Sequence, residues 1–231
     1  MSMRRGLAWA GVAFLLALLL LVPLQLLLPR IGLPPGLGAV EAGGSLWNGR
    51  LRAAHWRGQA VGDLRIGLAP LPLLAGRQQL HLRNDSARVV LSRGRLAGLG
   101  DGDGVVPLPP FAGVGLRALL EDARLLFDAG GCREAGGRVR VELTLPLDTL
   151  PPMILAGIPA CEGDGGRLVL VPEDASAPLG LEATLDIEAD GRYRLQALAR
   201  GDNPAFRAAL QAAGFQAAAG GMSRVSEGHL N

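Results

Sequence analysis

Arg138-Val139-Arg140-Val141-Glu142-Leu143-Thr144-Leu145 alternates charged or polar residues with Val and Leu. A period of two sends successive side chains to opposite faces of an extended chain. The stretch therefore predicts a β-strand with one face in a core and the other in water. The same period recurs on both sides of it. In Val61–Leu68 it places Leu64, Ile66 and Leu68 together, and Gln79–Arg83 and Leu181–Glu188 repeat it. Asp190-Gly191 is a strong hairpin signal, with Tyr193, Leu195 and Ala197 on the returning strand. The fold class expected is mainly β, with antiparallel strands polar on one face.

Short helices are expected between the strands, over Leu116–Ala123 and over Leu147–Ala156, where Pro151 and Pro152 limit the second. Asn203 as cap, Pro204 at the first helical position and Gly214 as the stop predict a third helix along Ala205–Ala213. Gly100-Asp101-Gly102-Asp103-Gly104 and Asn84-Asp85-Ser86 read as turns. Residues 220–231 read as a poorly ordered tail. The Leu64–Leu82 and Val139–Leu170 segments share a faint pattern: strand, proline, leucine-rich turn, Gly-Arg, strand. One such echo does not establish a repeat.

Ahead of the strands lies Leu7–Leu28, an uncharged run of 22 residues interrupted only by Pro23 and Gln25. A helix of that length extends roughly 33 Å, enough to cross a hydrocarbon core of about 30 Å. A signal-peptide core is shorter, and no small-residue cleavage site follows closely, so the expectation is an uncleaved anchor. Arg4 and Arg5 before the run favour a cytoplasmic N-terminus. The division expected is a cytoplasmic end (1–6), a transmembrane helix (7–28), a Pro/Gly linker (29–38), a periplasmic β domain (39–219) and the tail. This implies a single-pass membrane protein, in contact with membrane lipid through 7–28.

All 23 basic residues are arginine, set against 21 acids. Beyond Arg30 the chain carries a net charge of about −1, which argues against a nucleic-acid partner. The charge is unevenly spread, with +6 over Ile31–Gly100 and −7 over Asp101–Asn231. Either this is ordinary solvation of strand faces, or the basic half faces anionic headgroups or an acidic partner. Cys132 and Cys161 are the only cysteines and lie outside any CxxC or His-rich cluster. In an oxidising periplasm they are expected to form a structural disulfide.

No catalytic constellation is found, and no cofactor or metal is expected. His55, His81 and His229 lack ligand spacing. Gly43-Gly44-Ser45-Leu46-Trp47 fails the nucleophile-elbow pattern at its last position. Gly113-Val114-Gly115-Leu116-Arg117-Ala118 follows a proline cluster rather than a buried strand, which argues against a dinucleotide loop. The Gly100–Gly104 acids lack the third carboxylate and distal Glu of a calcium loop.

Behind the apolar run stands Gly44-Ser45-Leu46-Trp47-Asn48-Gly49-Arg50. The two glycines permit a tight turn around an amphipathic ring, with Trp47 either plugging the core or facing a partner or the membrane interface. Gly44, Ser45, Leu46, Trp47 and Gly49 are the candidate interaction positions. This element resembles the bacterial type II secretion system protein N family. Further similarities are the leucine-rich turn at Leu71–Gly76, and Cys132, Gly136-Gly137-Arg138-Val139 and Cys161. Asp190-Gly191-Arg192-Tyr193 and Glu227-Gly228-His229-Leu230 complete them. The resemblance implies a non-enzymatic inner-membrane accessory of the machine that exports folded proteins from the periplasm. Its partners would be other secretion subunits, in the inner-membrane platform or the secretin. It also implies a likeness to AsmA-like proteins, whose apolar grooves are linked to lipid handling; a lipid-binding or lipid-transfer groove is the alternative.

Overall fold

The computed structural model describes Leu24 and residues 35–111, 114–144, 152–174, 180–201 and 204–230. The elements begin with β1 (Leu37–Gly38), β2 (Glu41–Gly44), β3 (Gly49–Trp56), β4 (Gln59–Leu68), helix α1 (Pro70–Leu74) and β5 (Arg77–Arg83). Next come β6 (Ala87–Gly94), β7 (Ala97–Phe111), β8 (Val114–Asp128), β9 (Gly131–Thr144), β10 (Met153–Gly157) and β11 (Ala160–Glu162). The last are β12 (Gly165–Pro172), β13 (Gly180–Ile187), β14 (Arg192–Arg200), helix α2 (Pro204–Ala212), β15 (Gln216–Ala218) and β16 (Gly221–His229).

All sixteen strands join one sheet, in the order β1-β3-β4-β5-β6-β7-β8-β9-β10-β12-β13-β14-β16-β15, with β2 beside β3 and β11 beside β12. The pairings are antiparallel, and most link consecutive strands. Arg138–Thr144 lies in β9 as expected, with Val139 buried and Arg138 exposed. Asn84 shapes the β5–β6 turn, its side-chain oxygen accepting from the N–H groups of Ser86 and Ala87.

Register aligns the apolar face across the strands. Leu68 stands opposite Leu80, Leu80 opposite Leu91, Leu91 opposite Leu99 and Leu99 opposite Leu125. Three buried clusters lie along this face. The first joins Leu51, Ala54, Leu64, Ile66 and Leu80 with Leu24. The second joins Ala123, Val139, Leu155 and Leu170, and the third packs Ala199, Phe215 and Met222 under the C-terminal end of α2. Side chains of β8 also reach a distant strand: a Cβ at Gly166 of β12 would meet Leu125 and Phe127. A flat sheet would hold those strands well apart, so the sheet curls around its apolar face.

Several expectations are corrected. Leu116–Ala123, expected as a helix, lies in β8, paired on one side with β7 and on the other with β9. Met153–Ala156 lies in β10 rather than at the end of a helix; 147–151 lie outside the described residues. Gly100–Gly104, expected as a turn, runs through β7. The expected tail contains β16, whose residues Met222–His229 pair with β14. Leu37–Gly38, placed in the linker, pairs with Trp56 and His55. In each case backbone pairing overrides a local signal from composition. Helix α1 fills the first leucine-rich turn, and α2 begins at Pro204; its expected Asn203 cap lies outside the described residues. So does the expected anchor Leu7–Leu28, apart from Leu24, which packs in the first cluster of the sheet. Among the described residues no helix is long and apolar enough to cross a membrane.

Candidate functional site

Gly44–Arg50 forms the hairpin between β2 and β3. Gly44 pairs with Gly49, and Ser45 and Asn48 exchange backbone hydrogen bonds of 3.3 and 3.2 Å. The Asn48 N–H also lies 3.2 Å from the Ser45 hydroxyl. Gly44 has φ +85°, which L side chains rarely adopt, so the first glycine of the motif is required by backbone shape. Gly49 is required by space: a Cβ there would stand 2.5 Å from Leu24 Cδ2.

The hairpin tip is tied to the sheet by its backbone. Leu68 N–H donates to the Leu46 carbonyl at 3.1 Å, and a Cβ at Gly67 would collide with the Trp47 carbonyl. Leu46 is the buried residue of the tip and Trp47 is half-buried. Leu46 is thus the deeper of the two, a role the sequence reading considered only for Trp47. Asn48 is exposed.

Cys132 and Cys161 form the expected disulfide, with Cα atoms 5.5 Å apart. It joins β9 to β11, and the Cys132 N–H also donates to the Asp164 carbonyl at 2.9 Å.

Opposite the apolar face, the distal strands carry cross-strand ion pairs. Arg167 pairs with Asp186 at 2.6 Å and also with Glu162; Arg200 pairs with Glu182 at 2.8 Å, and Arg194 with Glu227 at 3.4 Å. Arg140 bridges Glu121 and Glu173. Asp186, chiefly through its hydrogen bond, raises the Arg167 pKa further. At the β9 hairpin Arg133, then the Gly130 N–H, holds the Asp128 pKa below its usual value. Exposed pairs of this kind contribute modestly to stability.

Topology supplies the third acid that the sequence lacked beside Asp101 and Asp103. Asp122 of β8 brings its carboxylate within 4.8 Å of theirs. Its own N–H donates to Asp103 at 3.0 Å, and Arg88 pairs with both Asp101 and Asp103. The Asp122 N–H, then Arg88, lowers the Asp103 pKa. No local signal marks this cluster in the sequence, because Asp122 reaches it through a bulge. Arg88 offsets part of its charge.

His55, His81 and His229 lie on β3, β5 and β16, and all are exposed. His81 borders a depression of about 330 Å³ with Arg77, Asp101, Leu126 and Glu134. Among the described residues no polar or charged side chain is buried.

Fold and surfaces together define a class: a one-sheet β scaffold, apolar on one face, salt-bridged on the other and stapled by a disulfide. The chain matches the family model of type II secretion system (T2SS), protein N, over residues 35–225, and it belongs to that family. No curated protein and no solved structure matches it. Membership makes it an accessory component of type II protein secretion that acts with other subunits of the system. The family is not known for enzymatic activity.

Proposed function

We propose that this chain is an inner-membrane-anchored accessory component of the type II secretion system, supporting export of folded proteins across the outer membrane. The apolar run ahead of Leu24, which itself packs in the sheet core, would anchor it and the sheet would stand in the periplasm. The observation that carries this reading is the family match, which starts at residue 35, directly behind the apolar run, and extends into β16. The disulfide is consistent with an oxidising compartment. The Gly44–Gly49 hairpin, with Trp47 half-buried at its tip, is the surface proposed to meet platform or secretin subunits. Deleting the gene in its own host should leave exoproteins in the periplasm, and the intact gene should restore secretion. Unchanged secretion in the deletion strain would overturn the reading.

The apolar face favours a second reading, a lipid-binding or lipid-transfer groove. Leu68, Leu82, Leu91 and Leu99 are only partly buried although they lie in register on the core side. Gentle purification followed by lipid extraction separates the two. Stoichiometric co-purified phospholipid supports the groove, and a lipid-free protein rejects it.

A further inference from the structure

Four arginines stand in one row across four consecutive strands. Arg50 of β3 pairs in register with Arg65 of β4, Arg65 with Arg83 of β5, and Arg83 with Arg88 of β6. Each is the sequence neighbour of a core-side residue: Leu51, Leu64 and Ile66, Leu82, and Val89. All four therefore share the opposite face, and all four are exposed. At about 4.8 Å per strand, the row spans roughly 14 Å.

Like charges directly opposite each other in a sheet repel, and native sheets ordinarily avoid them. The rest of this sheet does avoid them. Arg117 stands opposite Glu142, Arg138 opposite Glu121, Arg167 opposite Asp186 and Arg194 opposite Glu227. In the first strands arginine faces arginine. Arg88, at the end of the row, is satisfied by Asp101 and Asp103. Arg50, Arg65 and Arg83 have no ion-pair partner among the described residues. Three adjacent guanidinium groups without counter-charge form a cationic ladder complementary to a surface of closely spaced anions.

The other face of the same strands indicates which surface. Leu24, from the apolar run, is 1% exposed and packs on Leu51, Leu64, Ile66 and Leu80. Leu24, four residues before the end of the apolar run, is thus seated on the strands that carry the ladder. With the run as an anchor, they are the part of the sheet nearest the bilayer. The distal strands, which balance their own charge, lie farther along the sheet.

We infer that Arg50, Arg65 and Arg83 form a phosphate-binding face that seats the first strands of the sheet on an acidic lipid surface. The inference rests on the reading of the apolar run ahead of Leu24 as a membrane anchor. Each arginine near an acidic bilayer raises partition roughly fivefold, and the attraction falls off within a Debye length. The ladder would fix the tilt of the sheet over the membrane and leave the distal strands free for protein partners.

Arginine footprinting on the reconstituted full chain tests this. The protein is placed in vesicles of phosphatidylcholine alone and in vesicles enriched in phosphatidylglycerol. It is then treated with phenylglyoxal and read by mass spectrometry. The expected result is a several-fold fall in modification at Arg50, Arg65 and Arg83 on acidic vesicles, reversed by high salt, with Arg194 and Arg200 unchanged. Equal reactivity in both lipids overturns the inference. So does equal protection on neutral vesicles by inorganic phosphate, which marks an ion site, or protection only by an added acidic polypeptide, which marks a protein partner. The triple variant R50S/R65S/R83S should unfold no more easily than the parent, because repulsion is relieved. A clear loss of stability would make the row structural and overturn the inference. An alkaline carbonate wash tests the anchor separately. A chain retained yet unprotected rejects the ladder and keeps the anchor; a chain washed off yet protected beforehand does the reverse.

Discussion

Cys132 on β9 is bonded to Cys161 on β11, across a sequence separation of 29. β11 has only three residues paired with β12. Within the sheet path β10 lies between β9 and β12, so the bridge fastens the short β11–β12 hairpin to β9 across β10. The Cys132 N–H to Asp164 hydrogen bond shares that task.

Removing the bridge should therefore destabilise by about 3–4 kcal/mol on the loop-closure relation. Urea denaturation of the C132S/C161S protein measures it. Hydrogen exchange should show the earliest loss of protection at Ala160–Glu162. A midpoint identical to that of the oxidised parent would show that the bridge is dispensable.

Much of the sheet was legible in the sequence, and the failures have physical causes. Arg138–Thr144 announced itself because one face is fully polar and the other fully apolar. Leu116–Ala123 did not, because its Leu, Ala, Glu and Arg are good helix formers. Pairing with β7 and β9 decides its state, and that information lies elsewhere in the chain. Gly100–Gly104 has turn composition, yet its glycines leave room for neighbours: a Cβ at Gly102 would meet Leu120 at 3.0 Å. The hairpin motif was found, but not the order of burial within it. The third acid, Asp122, and the arginine row exist only through register, so no reading of single segments could reveal them.

Leu46 and Trp47 are adjacent but should respond differently to truncation. Leu46 is buried at the hairpin tip, so Leu46→Ala should cost about 2–5 kcal/mol. Trp47 is half-buried, and Trp47→Ala should leave most of the folded protein intact. If Trp47 contacts a secretion partner, that variant will accumulate normally while failing to restore exoprotein release in the deletion strain. Loss of folded Trp47→Ala protein would instead assign the ring to the core.

Acid should act through Asp103, Asp128 and Asp190. Each has a folded pKa below the usual carboxylate value: Asp103 through the Asp122 N–H, Asp128 through Arg133 and Asp190 through the Arg192 N–H. A depressed folded pKa contributes stability that is fully present above the unfolded value, about 3.9. That contribution is lost as pH falls through the folded pKa. These groups should leave stability flat from neutral pH down to about 4 and reduce it below. Thermal melts across that range check this, and Asp103→Asn should flatten the acid limb. An unchanged limb would remove Asp103 from the account.

Gly137 should tolerate no side chain. Asp122 and Ala123 of β8 bulge opposite it, between the Glu121–Arg138 and Arg124–Gly136 pairs. Gly137 has φ +78°, and a Cβ there would collide with the Asp122 carbonyl. Gly137→Ala combines an unfavourable backbone region with that collision, at a cost of about 1–3 kcal/mol. Gly136→Ala is the control, because no atom lies within 4 Å of a Cβ there. Equal melting temperatures for the two variants would refute the bulge.

Gly49 tests how the end of the apolar run meets the sheet. A Cβ at this position stands 2.5 Å from Leu24 Cδ2 and 3.1 Å from Ile66 Cγ2. Gly49→Val should therefore dislodge Leu24 from the first cluster and destabilise the fold. Leu24→Ala alone should cost about 2–5 kcal/mol, because it removes a side chain that is 1% exposed. If the two residues touch, the double variant should lose less than the sum of the single losses, because the smaller residue 24 makes room for valine. Coupled residues in contact show interaction energies of about 0.5–3 kcal/mol, within reach of a double-mutant cycle followed by denaturation in detergent. Strict additivity would mean that Leu24 does not sit over Gly49, and would separate the anchor from the strands that carry the arginine row.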